Sequence, residues 1–348
     1  MKKNMDKKII ALTDYKNKFG SKHFDNPYRS GMDKEQMKKY FKLFDYEIKF
    51  KNFFEISIND NDWQNRNVIY TSSEDIGFHY KSYIEDIILG LEEKGANLIP
   101  KYKYLRANNN KVFMEIIRSI NLLNCTLEAE LFGSLKDLLI KIENIKFPAV
   151  LKASEGASGR NVFLVKDRKD LIKKVKKLKN YSHLKEDIRD YFRSMKHKGY
   201  IRESIYRNKF IIQEFIPNLK NDWKVYVFGD KYFIFKRPIL KGRGIKASGG
   251  GYDNYFYGKD ATPPVGVFSF CEKIFKKLNV PHLSLDIAFD GNRFYLIEFQ
   301  ALYFGTAGIP YSKGYFTKKE DNTWMYVEKS CNIEQVYVES IVKYIENK

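Results

Sequence analysis

Cysteine is scarce in this chain, and long apolar runs are missing. Cys125, Cys271 and Cys331 are odd in number and far apart, with neither a disulfide nor a metal-ligand spacing. That fits a reducing compartment, with each thiol a small core or surface residue. No stretch approaches the ~20 apolar residues that span a bilayer. The basic start, Met1 to Lys16, has an apolar centre of only Ile9 to Leu12, too short for a secretory signal. A cytoplasmic protein without a membrane span is expected. The five histidines, His23, His79, His183, His197 and His282, show no pairing. This leaves no zinc spacing and no Ser-His-Asp arrangement. His79 falls near the end of a strand, where α/β sheets bind ligands, but reads as a surface residue. Internal repeats and Gly/Ser linkers are also absent.

What the chain does have is bulk and positive charge. Its 348 residues are 43% apolar and 16% aromatic, enough for two or three packed units with a large core. The formal charge is +19, from 62 basic and 43 acidic side chains. Such a charge invites a nucleic-acid partner, but the lysines are spread along the chain. Their densest run is Lys166 to Lys198. There Leu171, Val175 and Leu178 recur at helical spacing, which puts the lysines of 173–179 on a wet helix face. No nucleic-acid partner is expected, and the charge is left to attract small anionic substrates.

The first half reads as strand, helix, strand. Asn67 to Ser73 is a short buried strand ending in a polar loop. Lys81 to Lys94 is a helix stopped by Gly95, and Ala96 to Pro100 is the next strand. This is a parallel βαβ unit. The first sixty residues are polar and aromatic, with a weak strand near Tyr46 to Lys49, and are expected to cap that sheet. Lys111 to Leu123 is again helical. From Phe147 onward strands alternate with glycine turns: 150–152, 162–165, 210–214, 224–228, 232–237, 283–289 and 294–299. Turns at Gly229-Asp230 and Asp290-Gly291 make two hairpins. The fold class is mixed α/β, with a largely antiparallel second half.

Three segments carry chemistry. First, a buried-type strand delivers Lys152 into a small-residue loop that holds Glu155, Gly156, Ser158 and Gly159. Small residues let backbone N–H groups reach phosphate oxygens, and the lysine adds fixed charge. An ordinary hairpin turn explains the two glycines equally well. Second, Asp286 lies on one apolar strand, and Glu298 and Gln300 lie two apart on its hairpin partner, on one face. Two carboxylates and an amide oxygen suit magnesium or manganese, hard cations that take oxygen ligands. Third, 236–251 is basic and glycine-rich. Such a loop fits an anionic acceptor or a developing negative charge, with Arg243 and Lys246 as candidates, or else is a surface loop with no ligand.

In order and spacing, the segments 147–159, 211–217, 222–230 and 283–300 resemble the ATP-grasp superfamily. The resemblance spans about Asn67 to Leu302. It implies an N-terminal domain (1–108, with an extension over 1–60), a subdomain with the glycine-rich loop (109–212) and a metal-bearing C-terminal subdomain (213–348) that together clasp ATP. Lys111 matches an earlier nucleotide-contacting lysine. Gln213, Glu214, Phe215 and Ile216 match the hinge that reads adenine, with Gln213 facing the amino group and Glu214 and Ile216 offering backbone groups. Asp222 is the candidate for ribose, and the tail after Leu302 would be the closing helix. The chain departs from the pattern in two places. The usual Glu-x-Asn is Glu298-Phe299-Gln300, and the arginine some relatives have before the metal aspartate is replaced by Ser284 and Leu285. Lys236 or Arg237 would supply the missing cation, with Arg237, Arg243 and Lys246 stabilising the transferred group. The implied activity is joining a carboxylate to an amine through an acyl-phosphate, with small-molecule substrates and a homodimer left open. Strings at 220–231 and 246–251 are similar to ATP-grasp proteins of bacterial surface-polysaccharide biosynthesis. A kinase acting on a small acceptor and a non-catalytic nucleotide-binding protein are the alternatives.

Overall fold

The computed structural model describes residues 7–22, 30–57, 59–122, 125, 127–156, 161–178, 184–242 and 244–347. In chain order the first elements are β1 (Lys8–Thr13), α1 (Lys34–Lys42), β2 (Glu47–Asn52), β3 (Asn67–Tyr70), α2 (His79–Glu93), β4 (Asn97–Ile99) and α3 (Tyr102–Ala107). Next come α4 (Lys111–Asn121), β5 (Ala129–Ser134), α5 (Leu135–Lys141), β6 (Ala149–Ala153), β7 (Val162–Val165), α6 (Arg168–Lys177), α7 (Leu184–Lys196) and β8 (Arg207–Glu214). The last third holds β9 (Asn221–Phe228), β10 (Lys231–Pro238), β11 (Phe256–Tyr257), α8 (Val267–Leu278), β12 (His282–Phe289), β13 (Phe294–Gln300), α9 (Gly308–Tyr311), β14 (Tyr315–Lys318), β15 (Trp324–Val327) and α10 (Ile333–Glu346).

These strands form three sheets. The first is parallel, in the order β2-β1-β3-β4. The first sixty residues therefore do more than cap it: they supply two of its strands, and β1 lies inside. Ile9, Ala11 and Leu12 are buried there, so the short apolar centre read as a failed signal is core. The second sheet, β5-β8-β6-β7, is antiparallel. The expected boundary after residue 212 falls within its strand β8. The third is a seven-stranded antiparallel sheet, β13-β12-β9-β10-β14-β15, with β11 on β10. The tail past Leu302 contributes two strands to it as well as the closing helix α10.

One face of the large sheet packs α8 and α4 through Val225, Val227, Leu283, Leu285 and Leu296. The other face packs α10 at one end through Phe228, Phe233 and Tyr337. α10 also ties the N-terminal segment down. The buried Glu334 accepts from the Asp33 N–H at 2.8 Å and from Lys22 Nζ at 3.1 Å. His282 lies beneath α10, 1% exposed, stacked on Phe228 with centroids 5.5 Å apart. Neither of its ring nitrogens has a hydrogen-bond partner among the described residues.

Burial pushes the His282 pKa down to about 3. The unfolded chain therefore binds a proton near pH 6.5 that the native state refuses, and stability falls as the pH drops below that point. His282→Phe keeps a flat ring in the slot. Urea titrations between pH 6 and 4 are expected to show a ΔG slope shallower by about 1.4 kcal/mol per pH unit than in the parent. An unchanged slope would mean that His282 takes up its proton in the native state.

Candidate active site

A cavity of about 730 Å³ opens between the second and third sheets, within the size range of small-molecule sites. Its floor is the large sheet. Along β9, Asp222, Lys224 and Tyr226 alternate onto the open face, while Trp223 and Val225 point into the core. Register then sets the neighbours. Lys224 pairs with Asp286, Asp286 with Glu298, Ser284 with Gln300, and Asp222 with Arg237. Four strands thus place Glu298, Asp286, Lys224, Asp222 and Arg237 side by side. Arg237 grips Asp222 through Nε and Nη2 at 2.6 Å each and reaches Asp286 at 3.0 Å. Lys224 Nζ takes the other Asp286 oxygen at 2.6 Å. Burial pushes the Asp286 carboxyl up, but Arg237 and then Lys224 outweigh it and hold the group well below the usual carboxylate range.

The opposite wall comes from the small sheet and α4. Lys152 lies in the fully buried strand β6 and donates to Gln213 Oε1 at 2.6 Å. Gln213 Nε2 donates to Glu115 at 3.2 Å, and Glu115 pairs with Arg118 at 3.2 Å. Arg118 is fully buried and reaches across to the Ile297 carbonyl on β13 at 2.7 Å. Burial raises the Glu115 carboxyl, and Arg118 and Lys152 pull it partly back. Lys111, at the first position of α4, donates its backbone N–H to Ser154 and its Nζ to the Gly156 carbonyl, both at 2.9 Å. Gly156 has φ +120°, which only glycine adopts freely. Beyond Glu214 the strand pairing of β8 ends, and Phe215 and Ile216 run past it along the cavity beside Leu127, Val150 and Ile297. This gives an apolar slot edged by unladdered backbone.

Most candidates from the sequence share this cavity: Lys111, Lys152, Gly156, Gln213, Glu214, Phe215, Ile216, Asp222, Arg237, Lys246, Asp286, Glu298 and Gln300. Lys236 does not. It lies on the opposite face of β10, with Nζ over the Trp223 and Phe256 rings, because Arg237 takes the inward position. The cation beside Asp286 is Arg237, joined by Lys224. Glu155 is half-buried outside the cavity lining. Ser158, Gly159 and Arg243 lie outside the described residues. Gln213 spends its amide on Lys152 and Glu115, not on the cavity, and both Asp222 oxygens are taken by Arg237. His79 is exposed on α2.

Sequence reading missed Lys224, Tyr226, Glu115 and Arg118. The first two had a signal in the period of two that runs through Asp222, Lys224 and Tyr226. The other two are contacts distant in sequence.

The donor set suits a divalent cation. Glu298 and Gln300 face the cavity two residues apart, and neither side chain hydrogen-bonds a described residue. Asp286 lies in register with Glu298, but Arg237 and Lys224 hold both of its oxygens, so Glu298 and Gln300 are the donors open to a hard cation and Asp286 would join them only by giving up one of its cations.

Burial pushes the Lys152 pKa down to about 8, although Glu115 and Glu298 counter it. Its charge is present below that pH and is lost above it. Affinity for a polyphosphate is therefore expected to fall by up to about tenfold per pH unit above 8. Calorimetric titration with MgATP from pH 7 to 10 checks this, with Lys152→Met expected to bind more weakly and to lose the pH dependence.

No protein-family model matches the chain, and no curated protein matches it in sequence. Solved structures do match. D-cycloserine synthetase DcsG aligns over 97% of this chain and 99% of its own, at 9% identity and a TM-score of 0.55. ATP-grasp ligase PsnB, complexed with precursor peptide PsnA2 and AMPPNP, aligns over 99% of both chains at 11% identity and a TM-score of 0.50. N5-carboxyaminoimidazole synthetase from Staphylococcus aureus, complexed with ADP, aligns over 85% of this chain and 70% of its own, at 12% identity and a TM-score of 0.50. With two antiparallel sheets facing each other across a cavity lined by lysines and carboxylates, the chain has the ATP-grasp fold.

Proposed function

We propose that the protein is an ATP-dependent ligase that joins a small-molecule carboxylate to an amine. The observation that carries this reading is the convergence of two separate sets of groups on one cavity. Lys111 and Lys152 come from α4 and the small sheet, and Asp286, Glu298 and Gln300 come from the large sheet. That division suits a polyphosphate held between cationic side chains and a metal edge. Adenine would occupy the apolar slot, read by the Glu214 and Ile216 backbone. The small-residue turn at Gly156 would face the phosphates. Ribose would fall near Asp222, which is already paired, so its role there would be to fix Arg237.

Asp286, Glu298 and Gln300 would hold magnesium or manganese, which supplies charge neutralisation at the phosphates. The other roles belong to the chain. The substrate carboxylate oxygen would attack the terminal phosphorus as the bond to ADP breaks. Lys224 and Arg237, fixed by Asp222 and Asp286, would face the charge on the transferring group. The amine nitrogen would then attack the acyl carbon, phosphate would leave with the bonding pair, and the amine proton would pass to solvent or phosphate. Lys246, on the loop after β10, would bind the acceptor. The work is positioning and electrostatics, since no side chain forms a covalent bond. Tyr226, Phe235, Tyr252 and Tyr255 line the cavity beyond Lys224, a wall of flat rings that fits a sugar acid, in keeping with a role in surface-polysaccharide biosynthesis.

The test is ADP release from MgATP with sugar acids, nucleotide-linked uronic acids and amino acids, each with and without amines. Turnover requiring both a carboxylate and an amine is expected. Turnover with a hydroxyl compound alone would make the protein a kinase. Glu298→Ala is expected to lower kcat by about a hundredfold or more with an unchanged far-UV spectrum. Full activity of that variant in saturating magnesium would remove Glu298 from the site.

A further inference from the structure

The helix α7 is turned inside out relative to an ordinary surface helix. Asp190 marks the side covered by the chain that follows the helix: it is 9% exposed, accepts from the Tyr200 hydroxyl at 2.5 Å and accepts from the Glu203 N–H at 3.1 Å. At about 100° per residue, Ile188, Phe192 and Met195 project away from that side. They are 49%, 61% and 67% exposed, and Ile201 nearby is 82% exposed. A globular helix normally buries its apolar stripe. An exposed stripe of this kind marks an interaction surface.

The flank of the stripe identifies the partner. Lys185, Arg189, Arg193 and Lys196 follow one another along one edge of the apolar face, with Glu186 behind them paired to Arg189 at 2.9 Å, while Asp187 falls on the other edge. The lysine-rich α6 precedes this helix in a chain of formal charge +19. A second copy of the chain, docked by the same patch about a two-fold axis, would bring these cationic edges together. A nucleic acid would answer the cations but not an Ile/Phe/Met stripe. A lipid surface answers both: the apolar face enters the acyl boundary while lysine and arginine meet anionic headgroups.

We propose that α7 docks the protein on an anionic lipid bilayer surface, with Ile188, Phe192 and Met195 inserted and Lys185 and Lys196 at the headgroups. The contact is peripheral, and no helix of the described residues is long and apolar enough to cross a membrane. It is independent of the ligase reading.

The test is flotation of the full chain with vesicles of phosphatidylglycerol and phosphatidylcholine, or of phosphatidylcholine alone. Binding to the anionic vesicles only, weakened by salt, is expected. Phe192→Ser with Met195→Ser is expected to lower partitioning by about tenfold or more, with unchanged melting temperature and MgATP binding. Lys185→Glu with Lys196→Glu should weaken binding similarly, through the headgroup contact. Absence of binding by the parent chain, or equal binding by the Ser variant, would overturn the proposal. So would sedimentation showing a dimer that the Ser variant dissociates, since the face would then be a self-interface.

Discussion

The structure turns on two carboxylates that must be buried and charged together. Asp222 and Asp286 lie on adjacent long strands of the large sheet, facing the same cavity. An unpaired ion in such a place costs several kcal/mol, and a pair of like charge costs more. Arg237 answers both, with a fork on Asp222 and a third contact on Asp286, and Lys224 closes the remaining side. The arrangement follows from strand register alone. One row across the sheet reads Glu298, Asp286, Lys224. The same face becomes apolar four residues further along β12 and β9, where His282 pairs with Phe228 beneath α10. A single sheet surface is therefore core at one end and cavity floor at the other. The closing helix holds the first end rigid so that the second keeps its geometry.

The small sheet meets this floor through α4. Arg118 donates to the Ile297 carbonyl on β13, one residue from Glu298, and its ion pair with Glu115 leads through Gln213 to Lys152. A lysine buried this deeply keeps its proton only because carboxylates surround it. Lys152 and the strand that carries Glu298 are thus joined by one hydrogen-bonded chain. Displacing either sheet would strip partners from buried charges, which favours one closed arrangement over a continuum.

Much of this was legible in the sequence, and some of what was not could have been. The hairpin from β12 to β13 could be read because Asp286, Glu298 and Gln300 interrupt apolar strands at a spacing of two. The choice between Lys236 and Arg237 was also determinable. A two-residue turn at Gly229-Asp230 pairs Phe228 with Lys231, and counting back pairs Asp222 with Arg237. Lys236 then falls opposite Trp223, on the core side. Other features had no such signal. β1 is only six residues long and begins with lysine, so its apolar centre resembled nothing in particular until β2 and β3 enclosed it. Glu115 and Arg118 are one helical turn apart, which reads as a surface ion pair. Only the packing of α4 against both sheets buries them.

The fold and the chemistry carry different weights in the functional reading. Structures at 9–12% identity share the backbone plan with this chain, and a shared plan accommodates many reactions. What narrows the reading is the set of side chains that the plan places in the cavity. Lys152 is buried and Asp286 nearly so, where an unpaired charge is costly, and Glu298 stands half-buried beside them. The glutamine at 300 delivers the same amide oxygen as asparagine on a longer arm, from a strand whose register is pinned by Ser284, and so preserves the donor while moving it. The aromatic wall beyond Lys224 has no such requirement from phosphate chemistry. Under the proposed ligase reading these rings would meet the molecule being activated, and specificity would be decided there.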